Sequence, residues 1–492
     1  MQLNLMNAFL RPRAHHLGLR ASRTFSTALV NFPKRTVPKS CLASEITSSP
    51  LHNSWLHRRC YSVVAQQKPL APHSLEPRFF SANAFHGAAQ TSRLPVLAPP
   101  AVGRWLLFSS AMVFAVIVVG GVTRLTESGL SITEWKPITG IIPPMNVEDW
   151  SVEFEKYKAT PEFKLLNHSI TLDEFKNIFY MEWGHRVLGR LIGIAFVVPL
   201  AYFGFRKKLT ASMPIQLTGM ALLIGFQGFL GWYMVKSGLE DSIMETPGAV
   251  PRVSQYRLAA HLGTAVVLYA GMLGTGLAAI KDWRYARGGS WSGSSTMNWQ
   301  NVLSNPVVRR FSRFSKGLSA LVFLTALSGA FVAGLDAGLL YNEFPLMGGR
   351  LAPPMNELFS FAYAKNADGS DIWWRNIFEN PITVQFDHRV LAMTTYLSTC
   401  LLFAYSRRPA IRALLPPLAR KSVTAAFYMA NVQVLLGLAT LLYLVPVPIA
   451  AAHQAGSIAL LSTMVHLLVS LRRPGLAAQA WRKAGMQAKG SI

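Results

Sequence analysis

Acidic residues are scarce in this chain of 492 residues, with 23 Asp and Glu against 48 Lys and Arg and a formal net charge of +25. Charge of either sign is sparse as well, at 14%, while 51% of residues are hydrophobic and mean hydropathy is +0.28. Soluble domains carry about 25% charged residues, so this composition excludes that class and points to a polytopic membrane protein. Cysteine is nearly missing. Cys41 and Cys60 lie in an N-terminal leader and Cys400 stands alone, which excludes a disulfide framework and a cysteine-based metal cluster. A positive excess of this size ordinarily suggests nucleic acid, but the placement of the charges explains it without one.

Residues 1–100 carry twelve Lys/Arg and two acids, Glu45 and Glu76, are rich in Ser, Ala, Pro and His, and show no sustained apolar run. That is the composition of a mitochondrial transit peptide rather than a secretory signal. Residues 1–80 read as transit peptide and leader, with cleavage expected before Ser62 or Ser81, and 81–104 as a matrix arm. A retained disordered tail is the alternative.

Windows of about 20 residues with little or no charge, enough to cross a bilayer as helix, begin with Trp105–Thr123. They continue at about 185–205, 209–235, 258–280, 317–335 and 388–406, and the charge-free run 422–471 is divided by Pro446 and Pro448. The expected fold is an all-α membrane protein with eight transmembrane helices. Segments after even-numbered spans hold twenty Lys/Arg and one acid, and those after odd-numbered spans hold twelve Lys/Arg and twenty acids. The positive-inside rule then puts both termini in the matrix of a mitochondrial inner membrane.

The halves of the chain repeat each other. Pro143-Pro144-Met145-Asn146 recurs at 353–356, His185-Arg186-Val187-Leu188 recurs at 388–391, and Gln227 with Leu230-Gly231 recurs as Gln433 with Leu436-Gly437. His261 and His453 each open the last span of their half. This predicts two pseudo-symmetric four-helix bundles of like orientation, 105–280 and 317–471, joined by a matrix linker 281–316 and followed by a tail 472–492.

Of twelve histidines, His185, His261, His388 and His453 fall at one depth, the intermembrane-space end of even-numbered spans. A single histidine there is an ordinary interfacial residue, but four at repeat-equivalent places suit two bis-histidine haem sites, pairing His185 with His261 and His388 with His453. Small residues one turn on, Gly189, Ala265, Ala392 and Ser457, leave room for a macrocycle. Zinc fits two separated pairs poorly. The halves differ at Glu182, which faces Gln385: a carboxylate one turn before His185 can exchange protons and an amide cannot. Arg186 and Arg389 are candidate partners for haem propionates, or snorkel to headgroups.

The string Gly120-Gly121-Val122-Thr123-Arg124-Leu125-Thr126-Glu127-Ser128-Gly129-Leu130-Ser131, followed by Glu134-Trp135-Lys136-Pro137 and Glu182-Trp183-Gly184-His185-Arg186, resembles the heme A synthases of cytochrome c oxidase assembly. The resemblance spans about 101–471. It implies oxidation of the C8 methyl group of heme O to the formyl group of heme A through a hydroxymethyl intermediate. Heme O would sit on His185 and His261 with Glu182 as the essential carboxylate, and a heme B cofactor on His388 and His453. The partners expected on this reading are heme O as substrate, an electron-transfer protein such as a ferredoxin, the heme O-forming farnesyltransferase, oxidase assembly factors, the lipid bilayer and a second copy of the chain. Some bacterial members carry a loop cysteine pair that this sequence lacks. A diheme b-type electron carrier and a haem transporter are the competing readings, and the Glu182/Gln385 difference favours the enzyme.

Overall fold

The structure is a computed structural model that describes residues 94–245 and 250–490. The expected leader 1–80, its cleavage points and the first part of the matrix arm lie outside the described residues. Regular structure among the described residues is helical, apart from isolated bridges at Trp291–Ser294 and Met347–Arg350.

Eight long helices follow in order: α1 Pro100–Leu125, α2 Leu172–Phe205, α3 Met213–Lys236, α4 Gln255–Ala286, α5 Pro306–Gly334, α6 Pro381–Arg407, α7 Pro417–Leu442 and α8 Val447–Ser470. All but α6 are both long enough and apolar enough to cross a membrane, giving seven such helices among the described residues. The sequence predicts eight. Helix α6 lies where the sixth span is expected and has 27 residues, about 40 Å at 1.5 Å per residue. Its Gln385, Asp387, His388 and Arg389, and the Thr and Ser positions that follow, dilute its apolar character.

The predicted break before α8 falls at residues 443–446. Leu444 and Val445 take positive φ, 61° and 57°, the Val445 N–H closes onto the Thr440 carbonyl at 2.8 Å, and Pro446 starts the next helix. Helix α2 begins thirteen residues before His185, well ahead of the expected span. Thr171 and Glu174 form a reciprocal capping box there. The added turns carry an aromatic cluster: Phe175 and Phe179 pack with Trp150 and Tyr157 from the short helix Val147–Lys158. These loop helices form a cap on the lead-in to α2.

Helix α1 packs on α2 and α4, and α3 on α4; α5 packs on α6 and α8, and α7 on α6 and α8. Across the halves α4 meets α5 and α8, and α1 meets α8. One buried cluster runs through both halves, including Leu106, Phe196, Met272, Phe311, Leu402 and Met464. Lipid tails are as apolar as these side chains, so close backbone approach matters more than burial. At the α1/α4 crossing a Cβ on Gly103 would lie 2.9 Å from the Gly276 carbonyl oxygen and 2.6 Å from Ile280 Cγ1.

Candidate functional site

Each of the four histidines lies against a glycine of the preceding long helix. A Cβ built on Gly120 would stand 2.8 Å from His185 Cε1, on Gly231 3.5 Å from His261, on Gly329 3.4 Å from His388, and on Gly437 2.9 Å from His453. At Gly120 and Gly437 the ring therefore occupies volume that a larger residue would fill, whereas a Cβ at Gly231 or Gly329 would only touch it. His185 and His261 lie within electrostatic range of each other, as do His388 and His453, so the structure brings together the pairs expected from sequence. No group of three or more His, Cys, Asp or Glu suited to a metal ion occurs among the described residues. A Cβ on Gly189, one turn beyond His185, would meet nothing within 4 Å. Imidazoles paired from different helices fit haem ligation. His466 is tied instead to Ser422, Nδ1 to Oγ 2.7 Å.

The two pairs differ in how their rings are held. His388 Nδ1 shares a hydrogen bond of 2.7 Å with Ser328 Oγ, and His453 Nδ1 lies 3.1 Å from Gln433 Nε2. The Nδ1 atoms of His185 and His261 are buried with no hydrogen-bond partner. Val119 precedes Gly120 at the place where Ser328 precedes Gly329. Gln227, the counterpart of Gln433, turns to Thr264 Oγ1 at 2.7 Å and the His261 carbonyl at 3.3 Å. A partner on the second ring nitrogen fixes ring orientation for ligation by the first. The C-terminal pair has such partners, while the N-terminal rings lack them.

Glu182 is 3% exposed and fully engaged. Its Oε2 accepts from Ser131 Oγ at 2.7 Å and from the Ile132 N–H at 2.8 Å. Its Oε1 accepts from Arg186 Nε at 3.0 Å and Nη2 at 2.6 Å. Arg186 also donates to the carbonyls of Glu134 and Ile132, fastening the first loop to α2. Arg389 repeats this on the carbonyls of Glu343 and Tyr341, at 2.9 and 2.5 Å, but Gln385 gives it no carboxylate and its Nε is buried without a partner. Leu340 stands where Ser131 does. The Glu182/Gln385 difference is thus one part of a larger change: the N-terminal half has a carboxylate with its donors, and the C-terminal half has an arginine held by backbone carbonyls with no carboxylate hydrogen-bonded to it.

A family model for cytochrome oxidase assembly proteins, COX15-CtaA, matches residues 103–465. The chain belongs to this family. It is 46% identical over 373 residues to the heme A synthase COX15 of Saccharomyces cerevisiae, covering 76% of each chain. It is 46% identical over 375 residues to the heme A synthase COX15 of Homo sapiens, covering 76% of this chain and 83% of the human one. A heme A synthase-mitochondrial ferredoxin fusion protein of Schizosaccharomyces pombe is 48% identical over 367 residues, 74% of this chain and 59% of the fusion.

In this COX15-CtaA chain the two histidine pairs approach each other at Gly120-Gly121. Gly120 faces His185, and a Cβ on Gly121 would fall on the Gln454 amide, 1.6 Å from Oε1. Gln454 follows His453 and donates to the Ile117 carbonyl of α1 at 3.2 Å. Arg124, in the last turn of α1, crosses to Asp336 at 2.7 Å, and Arg252 joins that carboxylate at 3.3 Å. Trp135 stacks on Trp232 at 5.4 Å beside a cavity of about 310 Å³ that Arg186 and Lys236 also line. Sequence reading passed over Ser131, Ser328, Gln454 and the four facing glycines. Gly120, Gly231 and Gly437 lie in strings that it quoted, and the signal was their position relative to the histidines.

Proposed function

We propose that this chain is a heme A synthase of the mitochondrial inner membrane, oxidising the C8 methyl group of heme O to the formyl group of heme A through a hydroxymethyl intermediate. The observation that carries the division of labour is the unequal holding of the two pairs. His388 and His453, with partners on Nδ1, suit a resident heme B. His185 and His261, without them, suit a substrate that must arrive and leave. A family in which yeast and human members are named heme A synthases supports the chemistry. The same ligand sets in a diheme carrier give no reason for the Glu182 cradle.

Heme B, when bound, supplies a one-electron redox centre next to the substrate half. His185 and His261 would hold the substrate iron, with Gly120 and Gly231 leaving room for their rings. Converting a methyl to a formyl group removes four electrons from that carbon and releases protons. Glu182 is placed to take a proton at Oε2, the oxygen held by the Ser131 hydroxyl and the Ile132 N–H, while Arg186 keeps Oε1 oriented. Arg389, with an unpartnered buried Nε, is the better propionate partner of the two arginines, because Arg186 is already neutralised by Glu182. The fused S. pombe relative supports a ferredoxin as electron partner. The eight long helices then form two pseudo-symmetric bundles, 105–280 and 317–471, with α6 as a polar sixth span and both termini in the matrix.

Glu182→Gln tests the reading. Haem extracted from the purified full-length variant and separated by reversed-phase chromatography with mass detection is expected to contain heme B and heme O but no heme A. Undiminished heme A would remove Glu182 from the reaction.

A further inference from the structure

A second buried carboxyl group lies within electrostatic reach of Glu182, in the loop cap. Glu162, in the short helix Pro161–Leu165, is 3% exposed, although it belongs to a segment that otherwise reads as a polar loop. Its Oε2 is buried with no hydrogen-bond partner. The side-chain group in reach of the carboxyl is the Tyr157 hydroxyl, itself fully buried and accepting from Asn167 Nδ2 at 2.9 Å.

The charged groups that act on Glu162 are few. Glu182 from α2 and Glu127 from the end of α1 repel its anion, and Arg124 attracts it. Arg124, however, gives its Nη2 to Asp336 at 2.7 Å rather than to Glu162. The helix Ser242–Glu245 also packs on 161–165, with Glu245 exposed to solvent. Glu182 has four donors, two of them from Arg186, whereas Glu162 has a phenol and an orphaned oxygen. Two carboxylates cannot both be charged cheaply in such a place, and the one with donors keeps the charge.

We propose that Glu162 is a positioning residue for the reaction at the N-terminal pair: a buried carboxyl group that holds a proton at neutral pH, leaves Glu182 as the sole anion of the cradle, and acts on it through their mutual repulsion. The inference rests on the role given to Glu182 above. Burial pushes the Glu162 carboxyl up to about 8, with the Glu182 and Glu127 charges adding to the effect. Deprotonation therefore occurs just above neutrality and brings a second negative charge into range of Glu182. No redox step is involved, and the proton goes to solvent water.

Infrared difference spectroscopy of the purified full-length protein, titrated with alkali, reads this without any turnover. The wild type is expected to show a protonated-carboxyl band that disappears as pH passes about 8, and Glu162→Gln, nearly isosteric, is expected to lack it. In Glu182→Gln the same band is expected to vanish at lower pH, because a repelling charge is gone. Absence of a band assignable to Glu162, or an unshifted midpoint in Glu182→Gln, would overturn the proposal. Both readouts stand even if Glu182→Gln still makes heme A, an outcome that strikes at the reaction assigned to Glu182 and not at the coupling. In active membranes, heme A formation should fall above about pH 8 in the wild type, and Glu162→Gln should remove that fall while forming heme A at neutral pH. An identical alkaline fall in the variant counts against it.

Discussion

A methyl group added at Gly437 would stand 2.9 Å from His453 Cε1, and one at Gly120 would stand 2.8 Å from His185 Cε1, closer than packed carbon atoms approach each other. The ring must move, and a ring on a helix moves away from its ligand position. Gly437→Ala is therefore expected to cut heme B content several-fold while the protein still inserts, and Gly120→Ala to leave heme B in place and abolish heme A. The haem spectrum and extracted haem of each variant check this; full heme B in Gly437→Ala contradicts the packing argument. Ser328→Val gives the His388 ring the neighbour that His185 has, and a weakened hold on heme B is the expected result, seen as faster loss to apomyoglobin. At this scale the four histidines and Glu182 were legible in the sequence because repeats and spacing expose them. Ser131 and Glu162 were not, because their roles depend on where a loop folds back, and nothing in a local pattern states that.

Among elements, the lead-in to α2 shows how propensity signals extend a span beyond its apolar window. Thr171 and Glu174 start the helix in a polar segment, and a hydropathy window finds only the later part. Removing the Thr171 cap as Thr171→Ala is expected to cost about 1 kcal/mol, read as increased hydrogen exchange in residues 172–180. The cap that rests on this lead-in carries its own pH dependence. Glu162 ordinarily titrates at 4.5 and does so at about 8 in the folded cap, so the folded cap keeps a proton that an opened one releases. Its contribution is fully present below 4.5, declines as pH rises, and is gone once pH has passed about 8. Hydrogen exchange over 150–166, corrected for intrinsic rates, should show protection falling from about pH 4.5 to about pH 8 in the wild type and nearly constant in Glu162→Gln. The break before α8 was readable from Pro446 and Pro448, whereas α6 stands apart from the seven apolar helices because polar residues run through its length.

At the scale of the whole molecule the halves are bound to each other more closely than a linker and two bundles suggest. Gln454 enters the space over Gly121, Arg124 and Arg252 share Asp336, and α4 packs along α5 and α8. The repeat made the order of the long helices legible, but its asymmetry becomes meaningful only when Val119 and Ser328, Ser131 and Leu340, and Glu182 and Gln385 are seen around equivalent rings. The central claim is that one pair holds a resident haem and the other a substrate. Haem per chain, extracted and identified from full-length His185→Ala and His388→Ala proteins, tests it most directly. The account predicts heme B at the wild-type level without heme A in the first, and loss of heme B in the second. Heme B lost equally from both variants would contradict it and mark the two sites as equivalent carriers.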